Sequence, residues 1–215
     1  MEQILGLYAL PNDPDYPVIC FDERPSFLIG DHIEPIGMRT GQVRKEHYAY
    51  EKHGSCTLFA AIEPQTGFRL AQVHRRRTKQ EYTRFCQALA AQFPNAIKIR
   101  LVQDNLNTHD ASAFYENLPA DEARALADRF EFYFTPKSAS WLNMIEIEFS
   151  AIVRLCLNRR IPTMELLEQE VLAIVDDRNA KKIKITWQFS LQSARTKLNS
   201  HYVKVQSDNT KFKCS

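Results

Sequence analysis

The sequence predicts an α/β fold built on a mixed five-stranded sheet flanked by helices. Three observations lead there. Short apolar runs alternate with longer stretches of helical periodicity after residue 78. Two strand-like runs, CTLFAAIEP (56–64) and GFRLAQVHR (67–75), are joined by Gln65-Thr66-Gly67, a hairpin signal, so at least one pair of strands is antiparallel. Composition is globular, with 44% apolar and 25% charged residues among 215, enough for one good core and short for two.

Each element has its own signal. Residues 17–22, PVICFD, form a short apolar run between Pro14 and Pro17 before it and Arg24-Pro25 after it, a buried strand closed by Asp22. Residues 30–55 contain Gly30, Pro35, Gly41 and Gly54 and read as an irregular excursion before the hairpin. Thr78 is placed to cap the helix KQEYTRFCQALAAQF, whose Tyr82, Phe85, Leu89 and Phe93 recur at helical spacing until Pro94-Asn95 ends it. IKIRLVQD (97–104) is the next strand and also ends in an acid, Asp104. Residues 109–129 read as helix interrupted at Leu118-Pro119, and FEFYF (130–134) as an aromatic strand stopped by Thr135-Pro136. A long helix is expected from Ser140 to about Arg160, burying Trp141, Ile145, Phe149 and Ile152. A second runs from Met164 to about Asn179, with Leu166, Leu167, Val171, Ile174 and Val175 on one face. The remainder holds TWQFS (186–190) and a short helix, SLQSARTKL. Trp141 and Trp187 read as core residues rather than base-stacking platforms.

Charge is unevenly spread. Residues 178–215 carry nine Lys/Arg against the single acid Asp208, a net +8, whereas residues 1–177 carry 19 against 25, a net −6. A basic tail on an acidic body points to an anionic partner for the tail, and a solvated, solubilising surface is the alternative. His74-Arg75-Arg76-Arg77 and Arg159-Arg160 are smaller basic clusters. No apolar run approaches the ~20 residues needed to span a bilayer, and the N-terminus has no signal-peptide pattern. A cytoplasmic protein without a membrane partner is expected. The five cysteines are scattered without a C-x-x-C pair, so buried or surface free thiols are expected rather than disulfides or structural zinc.

The carboxylates carry the chemistry. In an open α/β sheet, ligands gather beyond the carboxyl ends of parallel strands. If the first and fourth strands are neighbours, Asp22 and Asp104 meet at that edge. Carboxylates that close repel one another unless a cation lies between them. Mg²⁺ accepts one or two such ligands and bridges to phosphate oxygens. A pair of ions about 4 Å apart clamps both oxygens of an in-line phosphoryl displacement. A third acid lies on the helix after the fifth strand, where Asn143 and Glu146 share a face away from the core. Taken singly, each acid reads more readily as a solvated strand-end or helix-surface carboxylate; two strand-terminal aspartates and an acid on the helix beyond the next strand are more specific together.

The runs VICFDE, LVQDNLNTH and FTPKSASWLNMIEIEFS together resemble the catalytic domain of DDE transposases, with the closest likeness to bacterial insertion-sequence relatives of the mariner transposases. TWQFS resembles a segment near that family's end, so the resemblance spans roughly residues 17–200. It implies an RNase H-like fold and a two-metal site held by Asp22, Asp104 and Glu146. It also implies two Mg²⁺ or Mn²⁺ ions, with no small-molecule cofactor and no covalent enzyme intermediate. The activity implied is cleavage of double-stranded DNA at mobile-element ends and transfer of the freed 3′-hydroxyl into target DNA, by a homo-oligomer associated with the bacterial nucleoid. Glu23, Asn105, His109, Lys137 and Asn143 are expected to support the acids or touch DNA. Glu23 should point to the other side of the strand end. His109 is placed to orient a phosphate or the nearby acid, or simply to enter a helix. Lys137, Ser138 and Ser140 precede the catalytic helix, where free N–H groups meet phosphate or either serine caps. Glu148, about 200° around the helix from Glu146, should face away as a surface or pairing acid.

Met144 stands where many relatives have Pro. Relatives also carry helix-turn-helix modules before the catalytic domain, and this chain enters the first strand by about residue 17. The expected organisation is one catalytic domain over 1–200 with a basic tail at 201–215 and no recognition modules, as a catalytic-domain piece, a split-frame half or a truncated copy. Three functions are open at this point: an active transposase-type nuclease, an inactive remnant that only binds DNA or a partner, and a hydrolase of small phosphate esters. The basic tail disfavours the last.

Overall fold

The computed structural model describes residues 1–43, 47–106, 109–137, 139–200 and 203–204. Its centre is a five-stranded sheet in the order β3-β2-β1-β4-β5. Strand β1 (Val18–Asp31) pairs antiparallel with β2 (Tyr50–Glu63), which pairs antiparallel with β3 (Phe68–His74). On its other side β1 pairs parallel with β4 (Ile99–Gln103), and β4 pairs parallel with β5 (Phe130–Phe134). This is the mixed, helix-flanked sheet expected of an RNase H-like fold.

Both faces of the sheet are covered at its centre, which is why VICF of β1 and CTLFAAI of β2 read as continuous apolar runs, whereas the edge strand β3 alternates. Successive side chains point to opposite faces. Cys20, Leu58, Ala60 and Val102 face one layer, where Ile145, Phe149 and Ile152 join Leu167, Val171 and Val175. Ile19, Phe21, Phe59 and Leu101 face the other, where Tyr82, Phe85 and Leu89 join Phe114 and Leu126.

The helices are α1 (Glu2–Tyr8), α2 (Lys79–Gln92), α3 (Ser112–Asn117), α4 (Ala120–Asp128), α5 (Ile145–Ile152), α6 (Met164–Ala180) and α7 (Leu191–Lys197). Thr78 and Glu81 form a reciprocal capping box on α2, Thr163 caps α6 and Ser190 caps α7. Leu118-Pro119 separates α3 from α4, as the sequence indicates. Cys20, Cys56, Cys86 and Cys156 are buried free thiols. No helix among the described residues is long and apolar enough to cross a membrane.

Three expectations change and one element is new. First, β1 does not stop at Asp22 but continues to Asp31, and β2 begins at Tyr50, so part of the supposed irregular excursion is a long antiparallel ribbon. Pro25 is tolerated because β4 pairs only with Val18, Ile19 and Cys20, which leaves the rest of β1 an edge on that side. Second, the N-terminal residues form α1, whose Ile4, Leu5 and Leu7 are buried. Third, the long helix over 140–160 is broken. A 3₁₀ turn (Ser140–Leu142) precedes α5, with Asn143 extended between them, and a wide π turn (Val153–Leu157) follows. Fourth, Trp141 is 47% exposed rather than core, while Trp187 packs against the core in part. Ser138 and the segment 205–215 lie outside the described residues.

Candidate active site

Strands β1 and β4 are neighbours, and their last paired residues are Cys20 and Val102. Asp22 and Asp104 each lie two residues beyond that pair. Asp22 is therefore inside β1 but at the end of its parallel ladder, and Asp104 directly follows β4. From β1 the chain brings a second acid, Glu23, whose backbone N–H donates to Asp22 Oδ1 at 2.7 Å.

The third element arrives through Asn143. Its buried side-chain amide donates to the Phe21 carbonyl at 2.8 Å, which fastens the start of α5 to the residue before Asp22. Tyr8 of α1 donates to the Leu142 carbonyl at 2.8 Å from the other side. The two bonds fix the 3₁₀ turn, and with it the half-buried Glu146 one turn later. Asn143 thus serves the site through backbone rather than through a shared helical face, since it precedes α5. No sequence signal marked Tyr8, because its partner lies 134 residues away.

The carboxyl of Asp22 is pushed up to about 7. Burial is the main cause, and the charges of Asp104 and Glu146 add to it, against the Glu23 N–H and the charge of His109. Asp104 at the end of β4 and Glu146 on α5 are therefore both near enough to act on Asp22 electrostatically.

His109 is fully buried and bridges two acids, with Nδ1 at 2.5 Å from Asp104 Oδ1 and Nε2 at 2.9 Å from Glu23 Oε1. A neutral imidazole has one N–H, so satisfying both ionised carboxylates takes the imidazolium. Burial opposes that charge, but the two acids outweigh it and raise His109 to about 9. Its ring stacks on Tyr82 and meets Phe21 edge-on. Gln103 is fully buried, accepts from Tyr82 Oη at 2.8 Å and donates to the His109 carbonyl at 2.5 Å. His109 is thus a built-in counter-ion rather than a helix-entry residue. Glu23 joins this support from the Phe21 side of β1, opposite Asp22, as the alternation of side chains along the strand leads one to expect. Gln103 and Tyr82 were not legible as site residues, because one reads as strand and the other as helix core.

Asn105 and Lys137 are exposed. Lys137 lines a cleft of about 410 Å³ with Asp104, Asn105, Thr135 and Ser140. Ser140 makes no capping bond in the turn it opens. Glu148 is a pairing acid but not a surface one. It is 1% exposed and lies 2.8 Å from Arg69 Nε, while Arg178 donates to both its oxygens at 2.7 and 3.0 Å.

No group of three or more His, Cys, Asp or Glu among the described residues is drawn together closely enough to hold an ion as the side chains stand. The chemistry of the donor set nevertheless fits a hard divalent cation. Its donors are carboxylate oxygens, burial and then the neighbouring charges of Asp104 and Glu146 lift Asp22, and the buried Glu23 Oε2 has no hydrogen-bond partner.

Residues 17–168 match a family model described as DDE superfamily endonuclease. The match contains all three acids and ends before TWQFS. A search of curated proteins finds no match. One similar solved structure is the cryo-EM structure of the simian T-cell lymphotropic virus intasome in complex with PP2A regulatory subunit B56 gamma. It is 14% identical with a TM-score of 0.46, over 74% of this chain and 48% of that one, so the present chain spans about half its length.

Proposed function

This chain belongs to the DDE superfamily of endonucleases, and from that premise we propose that it is a transposase catalytic domain that cuts DNA at mobile-element ends and joins the 3′-hydroxyl to target DNA. The observation that carries the reading is that Asp22 and Asp104 lie just beyond the parallel pairing of β1 with β4, while Asn143 fastens the start of α5, which bears Glu146, to the Phe21 carbonyl. These three would hold two Mg²⁺ or Mn²⁺ ions. Bound there, the ions would activate the attacking oxygen and neutralise charge on the leaving one. The protein's own part is positional. His109 holds Asp104 and Glu23 in register, Asn143 sets the approach of α5, and Lys137 stands in the Asp104 cleft where a phosphate would enter. We further assign the chain to the bacterial insertion-sequence relatives of the mariner transposases, on the long FTPKSASWLNMIEIEFS motif. It would act as a homo-oligomer on nucleoid DNA, with catalytic residues in 1–200 and a basic tail from 201.

The test incubates the protein with intact and pre-nicked element-end DNA, with Mn²⁺ or with EDTA. Metal-dependent 3′-hydroxyl release and joined products are expected. DNA binding without either product under any metal would leave a remnant that only binds. Turnover of small phosphate esters with indifference to DNA would assign a different hydrolase.

A further inference from the structure

Trp141 sits in the turn that leads into α5, yet nearly half its surface is open. Its ring meets Phe189 edge-on at 5.2 Å between centroids. Lys197 Nζ lies 5.5 Å from the centre of the Phe189 ring. With Trp187 and Leu198 these residues line a cavity of about 400 Å³ whose walls are aromatic and aliphatic apart from the lysine. The far wall is fixed to the body of the protein. Arg195 of α7 donates from Nε and Nη2 to Glu2 of α1 at 2.9 and 3.0 Å, and the buried Ala194 packs beside Leu5 and Leu142.

The cavity and the Asp104 cleft meet at one turn. Ser140 lines the Asp104 cleft and Trp141 lines the aromatic cavity, and the two are consecutive residues of one 3₁₀ turn. A strand whose phosphate lies against Asp104 would therefore pass Trp141 directly. Charge agrees with such an occupant, because the one charged residue lining the cavity among the described residues is Lys197, within the +8 segment 178–215. An open aromatic face with a cation beside it suits a flat ring attached to an anionic backbone.

We propose that the Trp141–Phe189–Lys197 cavity receives an unpaired nucleobase of the DNA strand held at the acids, with Trp141 as the stacking face and Lys197 meeting the adjacent phosphate. The proposal rests on the nuclease reading for its DNA substrate. Its test uses binding alone, in EDTA, so cleavage does not enter the result.

The probe is a fluorescent oligothymidylate, compared with an equal-length strand carrying abasic sites. Both present the same phosphates. The protein should bind the first about tenfold more tightly, the scale of one base stack. Trp141→Ala should bind both strands equally, at the level the parent shows on the abasic one. Trp141→Phe, which keeps a flat ring, should restore part of the preference, and thermal melts of both variants check that they fold. In a Trp187→Phe background, the remaining Trp141 emission should be quenched by the thymidylate strand and less by the abasic one. Equal affinity of the parent for both strands would overturn the proposal, as would unchanged preference in a folded Trp141→Ala. Self-association of the protein that Trp141→Ala abolishes, without any base dependence, would reassign the cavity to a second copy of the chain. Base preference without metal-dependent cleavage would keep the cavity and sink the nuclease.

Discussion

Glu148 and Glu146 are two residues apart on α5, and their replacement by glutamine should move stability in opposite directions. The Glu148 carboxylate is buried between Arg69 and Arg178. Arg69 is 1% exposed as a side chain, and its guanidinium also donates to the carbonyls of Gly67 and Ile183 at 2.6 and 2.7 Å. Glu148→Gln keeps the shape but leaves this buried guanidinium without its counter-charge. Breaking a buried pair from one side costs about 3–5 kcal/mol. In a chain of this size each kcal/mol shifts the melting midpoint by about 2–4 °C, so a fall on the order of 10 °C is expected. Glu146→Gln instead removes a charge that helps to raise the Asp22 carboxyl. Without metal it should melt at or above the parent. Calorimetric melts in EDTA at neutral pH measure both. A Glu148→Gln midpoint within about a degree of the parent would refute the buried ion-pair reasoning, and a Glu146→Gln midpoint well below it would refute the crowding of the acids.

Three further expectations concern the metal, the Asn143 bond and the tail. Mn²⁺ should stabilise the fold by about 2.7 kcal/mol at a hundredfold excess over Kd. The raised Asp22 and His109 each contribute stability that is complete below their ordinary values and lost as pH rises through about 7 and about 9. The metal-free midpoint should therefore fall from pH 5 to pH 9, and Mn²⁺ should flatten the part near 7; identical slopes with and without the ion would count against a site at Asp22. Asn143→Ala leaves the Phe21 carbonyl unpaired and should lower stability by about 1–3 kcal/mol in urea melts, whereas no change would show that α5 is held by apolar packing alone. Deleting 201–215 removes Lys204, Lys211 and Lys213. It should flatten the dependence of log K for DNA on log salt, by about 0.9 for each phosphate that these lysines neutralise; an unaltered slope would show that the tail does not touch DNA.

What the sequence disclosed was whatever local chemistry controls. The apolar runs VICF and CTLFAAI declared strands buried on both faces, Thr78 and Glu81 declared a helix start, and Pro119 a break. Asp22 and Asp104 were legible because each closes a short apolar run, PVICFD and IKIRLVQD. What stayed hidden depends on distant partners. Nothing near Glu148 announces Arg69, which lies on β3 and turns a helix acid into a buried one. The helix over 140–160 breaks at Asn143, which is extended and whose side chain donates to the Phe21 carbonyl while accepting from the Ile145 N–H at the start of α5. The strand past Pro25 survives because β4 is too short to cover it, and α1 forms because Ile4 and Leu7 find the core of the sheet. His109 shows both sides of this: its neighbour Asp104 was visible in LVQDNLNTH, but its second partner, Glu23, is 86 residues away.

The central claim, that Glu146 completes a metal site with Asp22 and Asp104, is tested most directly by Mn²⁺-dependent cleavage of pre-nicked element-end DNA with Glu146→Gln beside the parent. The substitution preserves size and most hydrogen bonding but removes the charge that would hold the ion. The expected result is loss of cleavage and strand transfer in a variant that melts no lower than the parent and binds DNA as tightly. Cleavage by Glu146→Gln at a rate near the parent's would contradict the assignment of Glu146 as the third ligand.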